Sequence, residues 1–88
     1  MQVYNCIIIE DEPLAAQLLQ EYIAQIPQLK FTGHYRTAME ALVPLQEQKI
    51  DILFLDIHLP GIKGFSFLRT LHRAPAVIVT TAYHQYAL

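Results

Sequence analysis

Apolar positions along the 88-residue chain change period several times, and each change marks an element. Val3 to Ile9 is β-branched and nearly continuous rather than alternating, the signature of a central parallel strand covered on both faces. The spacing then becomes helical. Pro13 can occupy a first helical turn without losing a needed hydrogen bond, and Leu14, Leu18, Tyr22 and Ile26, flanked by Leu19 and Ile23, form a stripe that Pro27 ends. Leu29 to Tyr35 is a shorter, more polar strand with Gly33 inside it, as expected near a sheet edge. Thr37 followed by Glu40 is a capping-box pattern opening a second helix, through Ala38, Met39, Ala41, Leu42 and Leu45 to about Gln48. Pro44 inside it removes a backbone bond at roughly 3 kcal/mol relative to Ala, which predicts a kink or a looser second half.

Ile50 to Ile57 is the strongest strand, and it breaks into a loop, His58 to Gly64, punctuated by Pro60, Gly61 and Gly64. Phe65 to Arg73 reads as a short amphipathic helix with Phe65, Leu68 and Leu71 inward. Ala76 to Thr80 is a fourth strand opened by Pro75, and Ala82 to Leu88 begins another helix. Strands alternating with helices imply right-handed crossovers and an α/β, doubly wound parallel sheet of four strands and three and a bit helices.

Apolar residues make up 53% of the chain and charged ones 16%, enough for one core and not two, so residues 1–88 are read as one domain or part of one. The net charge of −2, with six scattered basic residues, gives no electrostatic reason for this segment to bind nucleic acid or an anionic membrane. The first apolar run meets Glu10 long before it could span a bilayer, which makes the cytoplasm the expected location. Cys6, the single cysteine, is read as a small core side chain in a reducing compartment.

Two of these strands end in carboxylates: Cys6 to Ile9 runs into Glu10, Asp11 and Glu12, and Ile50 to Leu55 runs into Asp56. In an open parallel sheet the C-terminal strand ends meet at one edge, so Asp56 should face Glu10 and Asp11 across a crevice. Such a group suits a hard cation, and a carboxylate beside one can accept a phosphoryl group. Glu12 beside Pro13 is better explained by the helix dipole in the first turn. His34, His58, His72 and His84 form no zinc spacing and are read as surface or loop residues. No glycine-rich phosphate loop follows the first strand, which argues against a nucleotide or flavin site.

With Thr80-Thr81-Ala82 after the fourth strand, the whole chain resembles the receiver domain of two-component response regulators, a flavodoxin-like fold. The acidic pair is Glu10-Asp11, the phosphoacceptor Asp56, the Pro-Gly loop His58 to Gly64, and the switch threonine Thr81. Glu10 stands where the family more often has Asp. The resemblance implies Mg²⁺ held by Asp11, Asp56 and the backbone carbonyl of His58, with Glu10 acting through water. It implies a phosphorylation-controlled signalling domain rather than a metabolic enzyme, with Mg²⁺-dependent self-phosphotransfer to Asp56 from a histidine kinase and a hydroxyl switch at Thr81. The run Thr80 to Leu88 is similar to receivers joined to LytTR-type DNA-binding domains, so the expected effector is a DNA-binding transcription regulator outside this chain.

Compared with the family, the sequence stops after the fourth strand, without counterparts of the fifth strand and its lysine. The receiver is therefore expected to be incomplete, with the fourth strand as an open edge inviting homo-oligomerisation or strand exchange. Two other readings are a receiver-like interaction module that needs no phosphorylation, and an aspartyl phosphatase of the haloacid-dehalogenase type. The latter needs a second Asp two residues after the nucleophile, where this chain has His58.

Overall fold

The computed structural model describes residues 2–56 and 66–80. Four parallel strands form one sheet: β1 (Tyr4–Ile9), β2 (Leu29–Tyr35), β3 (Ile52–Asp56) and β4 (Ala76–Thr80), in the order β2-β1-β3-β4. Helix α1 (Pro13–Ala24) links β1 to β2, α2 (Ala38–Glu47) links β2 to β3, and a 3₁₀ helix (Ser66–Thr70) precedes β4. This is the flavodoxin-like doubly wound order, with the reversal of strand sequence at β1 and β3. The expected helix Phe65 to Arg73 is thus a shorter, tighter element. Its Leu71 N–H reaches the Leu68 carbonyl three residues back, and both leucines pack on the core as expected. Ile57, Phe65 and the segment Ala82 to Leu88 lie outside the described residues.

Period-2 alternation along β1 and β3 builds two hydrophobic layers. Ile7, Ile9, Leu53 and Leu55 face Ala41 and Leu45 of α2, while Cys6, Ile8 and Phe54 face Ile23 of α1. Both faces of the central strands are therefore buried, which is why their sequences read as continuous apolar runs. Helix α1 corrects the expected stripe. Leu14, Leu18, Tyr22 and Ile26 are exposed, Leu14 by 71%, and the sheet-facing residues are Ala16, Leu19 and Ile23. Two helical stripes were available in the sequence, and the one carrying the smaller Ala16 lets the helix approach the sheet.

Thr37 caps α2, its hydroxyl accepting the Glu40 N–H at 3.1 Å. Helix α2 runs through Pro44 and stops one turn later, where Gln48 is already extended. The imide that cannot donate back to Glu40 thus sits close to the helix end, with its ring buried.

β2, at the edge of the described sheet, carries an irregularity. Cys6 pairs with Phe31 but Ile7 pairs with Gly33, so Thr32 is one residue too many, and its hydroxyl donates to the Cys6 carbonyl at 3.1 Å. The extra residue brings His34 alongside Ile8 and Tyr35 alongside Ile9. Gly33 leaves room for the Tyr35 ring, whose hydroxyl would lie 2.7 Å from a Cβ at position 33.

At the N-terminal edge Asp51 acts as a knot. Its carboxylate accepts the Asn5 N–H at 2.8 Å, its own N–H donates to the Asn5 carbonyl, and its carbonyl accepts from Ala76. β1, β3 and β4 are thereby aligned at their starts.

Candidate metal and phosphoacceptor site

Parallel pairing of β1 with β3, Ile9 opposite Leu55, brings the residues that follow these partners to one edge. Glu10, Asp11 and Asp56 converge there, each offering a carboxylate oxygen, with the three oxygens within 4.8 Å of one another. Glu10 and Asp56 are each only 4% exposed, while Asp11 is half-buried. Their convergence matches the sequence expectation, although two buried acids side by side is an unfavourable arrangement in the absence of a cation.

Glu10 carries the strain of that arrangement. Burial pushes its carboxyl up from 4.5 to about 7, and the hydrogen bond and charge of Asp56 push the same way, as does the charge of Asp11. The Glu12 N–H, which donates to Glu10 Oε2 at 3.1 Å, pulls against them. Three hard oxygen donors around a space that disfavours negative charge fit Mg²⁺ by donor chemistry. Glu12 itself sits at the N-cap of α1, one position before the expected first turn, with its carboxylate accepting the Leu14 N–H at 3.2 Å. Its role as a helix-terminal anion is the one expected.

Backbone contacts fix the acidic turn. The Glu10 N–H donates to the Tyr35 carbonyl at 2.9 Å, and His34 Nε2 lies 2.7 Å from the Glu10 carbonyl. A carbonyl only accepts, so Nε2 carries the proton. His34 is therefore a half-buried strand residue bonded to the site, not the surface or loop histidine expected. A glycine inside a strand often marks a bulge, and Gly33 was the available signal, since the irregularity beside it decides where His34 falls. His72 is exposed, as expected. On the other flank of β3, Thr80 pairs with Asp56. Thr81, His58 and His84 lie outside the described residues, so the expected switch hydroxyl and carbonyl ligand have no structural description.

Residues 6–88 match the model of the response regulator receiver domain. The chain belongs to that family. Among curated relatives of this receiver, the sensory transduction protein LytT of Enterococcus faecalis is 41% identical over 87 residues, covering 96% of the chain and 36% of the relative. The transcriptional regulatory protein BtsR of Escherichia coli is 32% identical, covering 93% of the chain and 35% of the relative. The receiver thus spans about a third of the length of these relatives. Among solved structures, CheY6 from R. sphaeroides, in complex with the P1 domain of CheA3, superposes with a TM-score of 0.80 at 24% identity, over all of this chain and 70% of that one. The MaeR response regulator bound to beryllium trifluoride does so with 0.78 at 27% identity, over 93% of the chain and 70% of that one. As a receiver the chain is a signalling domain of response regulators. Among the described residues no helix is long and apolar enough to cross a membrane.

Proposed function

We propose that residues 1–88 form the receiver portion of a cytoplasmic response regulator, in which Asp56 takes a phosphoryl group from a histidine kinase. The convergence of Glu10, Asp11 and Asp56 within 4.8 Å at the strand ends carries this reading. An Asp56 carboxylate oxygen attacks the phosphorus of the kinase's phosphohistidine, forming an O–P bond as the N–P bond breaks and the imidazole keeps the electron pair. Asp11 and Asp56, with the His58 backbone carbonyl and with Glu10 through water, would hold Mg²⁺, which when bound offsets carboxylate repulsion and charge on the transferring group. The acyl phosphate on Asp56 adds charge and acceptor oxygens at the end of β3, and the Thr81 hydroxyl is the group proposed to answer it.

Similarity to LytT and BtsR supports a transcription-regulating effector, taken here to be a DNA-binding domain of LytTR type outside these residues. Contacts between copies through β4 belong to the same proposal, since Ile78 and Val79 are exposed on that strand.

The deciding measurement is two-dimensional NMR of the chain titrated with beryllofluoride and Mg²⁺, beside an Asp56→Asn variant. Saturable shifts at Asp11, Asp56 and Thr81 that vanish in the variant are expected. A folded sample without such shifts would instead favour a receiver-like interaction module that works without phosphorylation.

A further inference from the structure

The geometry points to His34 as a positioning residue of the carboxylate site: its Nε2–H holds the Glu10 carbonyl and thereby sets the direction in which Asp11 leaves β1. This inference rests on the reading of that site as a Mg²⁺ centre. A peptide group is planar, so the Glu10 carbonyl and the Asp11 N–H belong to one rigid plate. Fixing that carbonyl fixes the plate from which the Asp11 side chain starts. The preceding plate is held independently, by the Glu10 N–H on the Tyr35 carbonyl at 2.9 Å. Both peptide planes flanking Glu10 are therefore pinned by β2, one by its backbone and one by an imidazole at 2.7 Å.

A side chain is needed because the backbone of β2 has already turned away. Arg36 N–H donates to Glu40 Oε1 at 3.3 Å, and Thr37 is the N-cap of α2. The ladder thus ends at Tyr35, and the first carbonyl beyond β1, that of Glu10, is met by an imidazole. The irregularity at Thr32 makes this possible. Without the extra residue, Gly33 would stand beside Ile8, and no donor side chain would occupy that place. Thr32 anchors the shifted register through its bond to the Cys6 carbonyl.

Partners bonded directly to a metal ligand typically change metal affinity by about 10–100-fold when removed, and one acting a peptide group away from Asp11 is expected at the low end of that range. The test compares wild type with His34→Leu, which fills similar space without a donor, and His34→Gln, whose amide N–H reaches about as far. Mg²⁺ affinity is measured by calorimetry and stability by urea unfolding, with Asp56→Asn as the control for binding at the site. Expected is a Mg²⁺ Kd raised about tenfold or more in His34→Leu and largely restored in His34→Gln, both folded. Equal affinity in wild type and a folded His34→Leu overturns the positioning role while leaving the metal site standing. Mg²⁺ binding that Asp56→Asn does not weaken overturns the metal site and the inference with it. A readout free of both metal and mutation is the long-range ¹⁵N spectrum of the His34 ring at pH 8. The Nε2–H tautomer is expected, and a ring protonated only on Nδ1 overturns the inference even if His34→Leu fails to fold.

Discussion

Glu10 should make the metal-free receiver less stable as pH rises. Its carboxyl titrates near 7 in the fold against 4.5 ordinarily, so between those values the folded chain keeps a proton that the unfolded chain has released. Stability is then fully present below about pH 4.5, falls as pH climbs, and levels off above about 7. Urea unfolding across pH 4.5 to 8 without Mg²⁺ checks this, and Glu10→Gln is expected to flatten the profile. Cys6 stands at the other extreme: it is fully buried, and burial pushes its thiol up. A thiol reagent at neutral pH should leave it unmodified in the folded chain and react on unfolding. The burial of Cys6 was legible from its place inside an apolar run, and the meeting of Glu10 with Asp56 from the strand ends, but not the burial that raises the Glu10 carboxyl. His34 was not legible, because its bond spans 24 positions and Gly33, the local sign of a bulge, does not say which residue is the extra one.

Among the elements, the strands were the most legible, since buried β1 and β3 must be apolar on both faces and their first residues moved by only one or two positions. Helix α1 was legible as a helix but not in its orientation. Leu14, Leu18, Tyr22 and Ile26 are spaced as regularly as Ala16, Leu19 and Ile23, and which stripe meets the sheet depends on how the chain leaves the Glu10 turn. Ile23, 2% exposed, is therefore expected to lose about 2–5 kcal/mol on Ile23→Ala, whereas Leu14→Ala should fall within about 0.5 kcal/mol. Equal effects in urea unfolding would refute the orientation. Helix α2 offers a cleaner local test. The Thr37 hydroxyl on the Glu40 N–H matches the capping pattern, but the Glu40 carboxylate reaches the Arg36 N–H rather than that of Thr37. Thr37→Ala should therefore cost about 1 kcal/mol, with the Arg36 contact remaining.

Across the whole molecule, carboxylates at opposite edges of the sheet have opposite effects. Alternating strands and helices made a parallel sheet legible, its order following only from the family resemblance, and strand polarity puts Asp51 at one end of β3 and Asp56 at the other. The sequence shows them as two similar acids five positions apart in one apolar run. Their surroundings separate them. Asp51 accepts the Asn5 N–H at 2.8 Å and meets Arg73 at 3.7 Å. The Arg73 side chain is 65% exposed, so that ion pair contributes under about 1 kcal/mol. The Asn5 N–H is the costlier group to orphan, and Asp51→Ala should destabilise the fold by about 1–3 kcal/mol without touching the carboxylate cluster. Asp56 is buried beside a second acid, so Asp56→Asn should raise the unfolding midpoint of the metal-free chain while abolishing Mg²⁺ binding. Opposite shifts in stability from the acids at the two ends of β3, read by thermal unfolding in chelator, would separate the group that holds the sheet together from the one proposed as phosphoacceptor. A lower midpoint for Asp56→Asn would mean that the carboxylate cluster is stabilised by its hydrogen bonds and not strained by its charge.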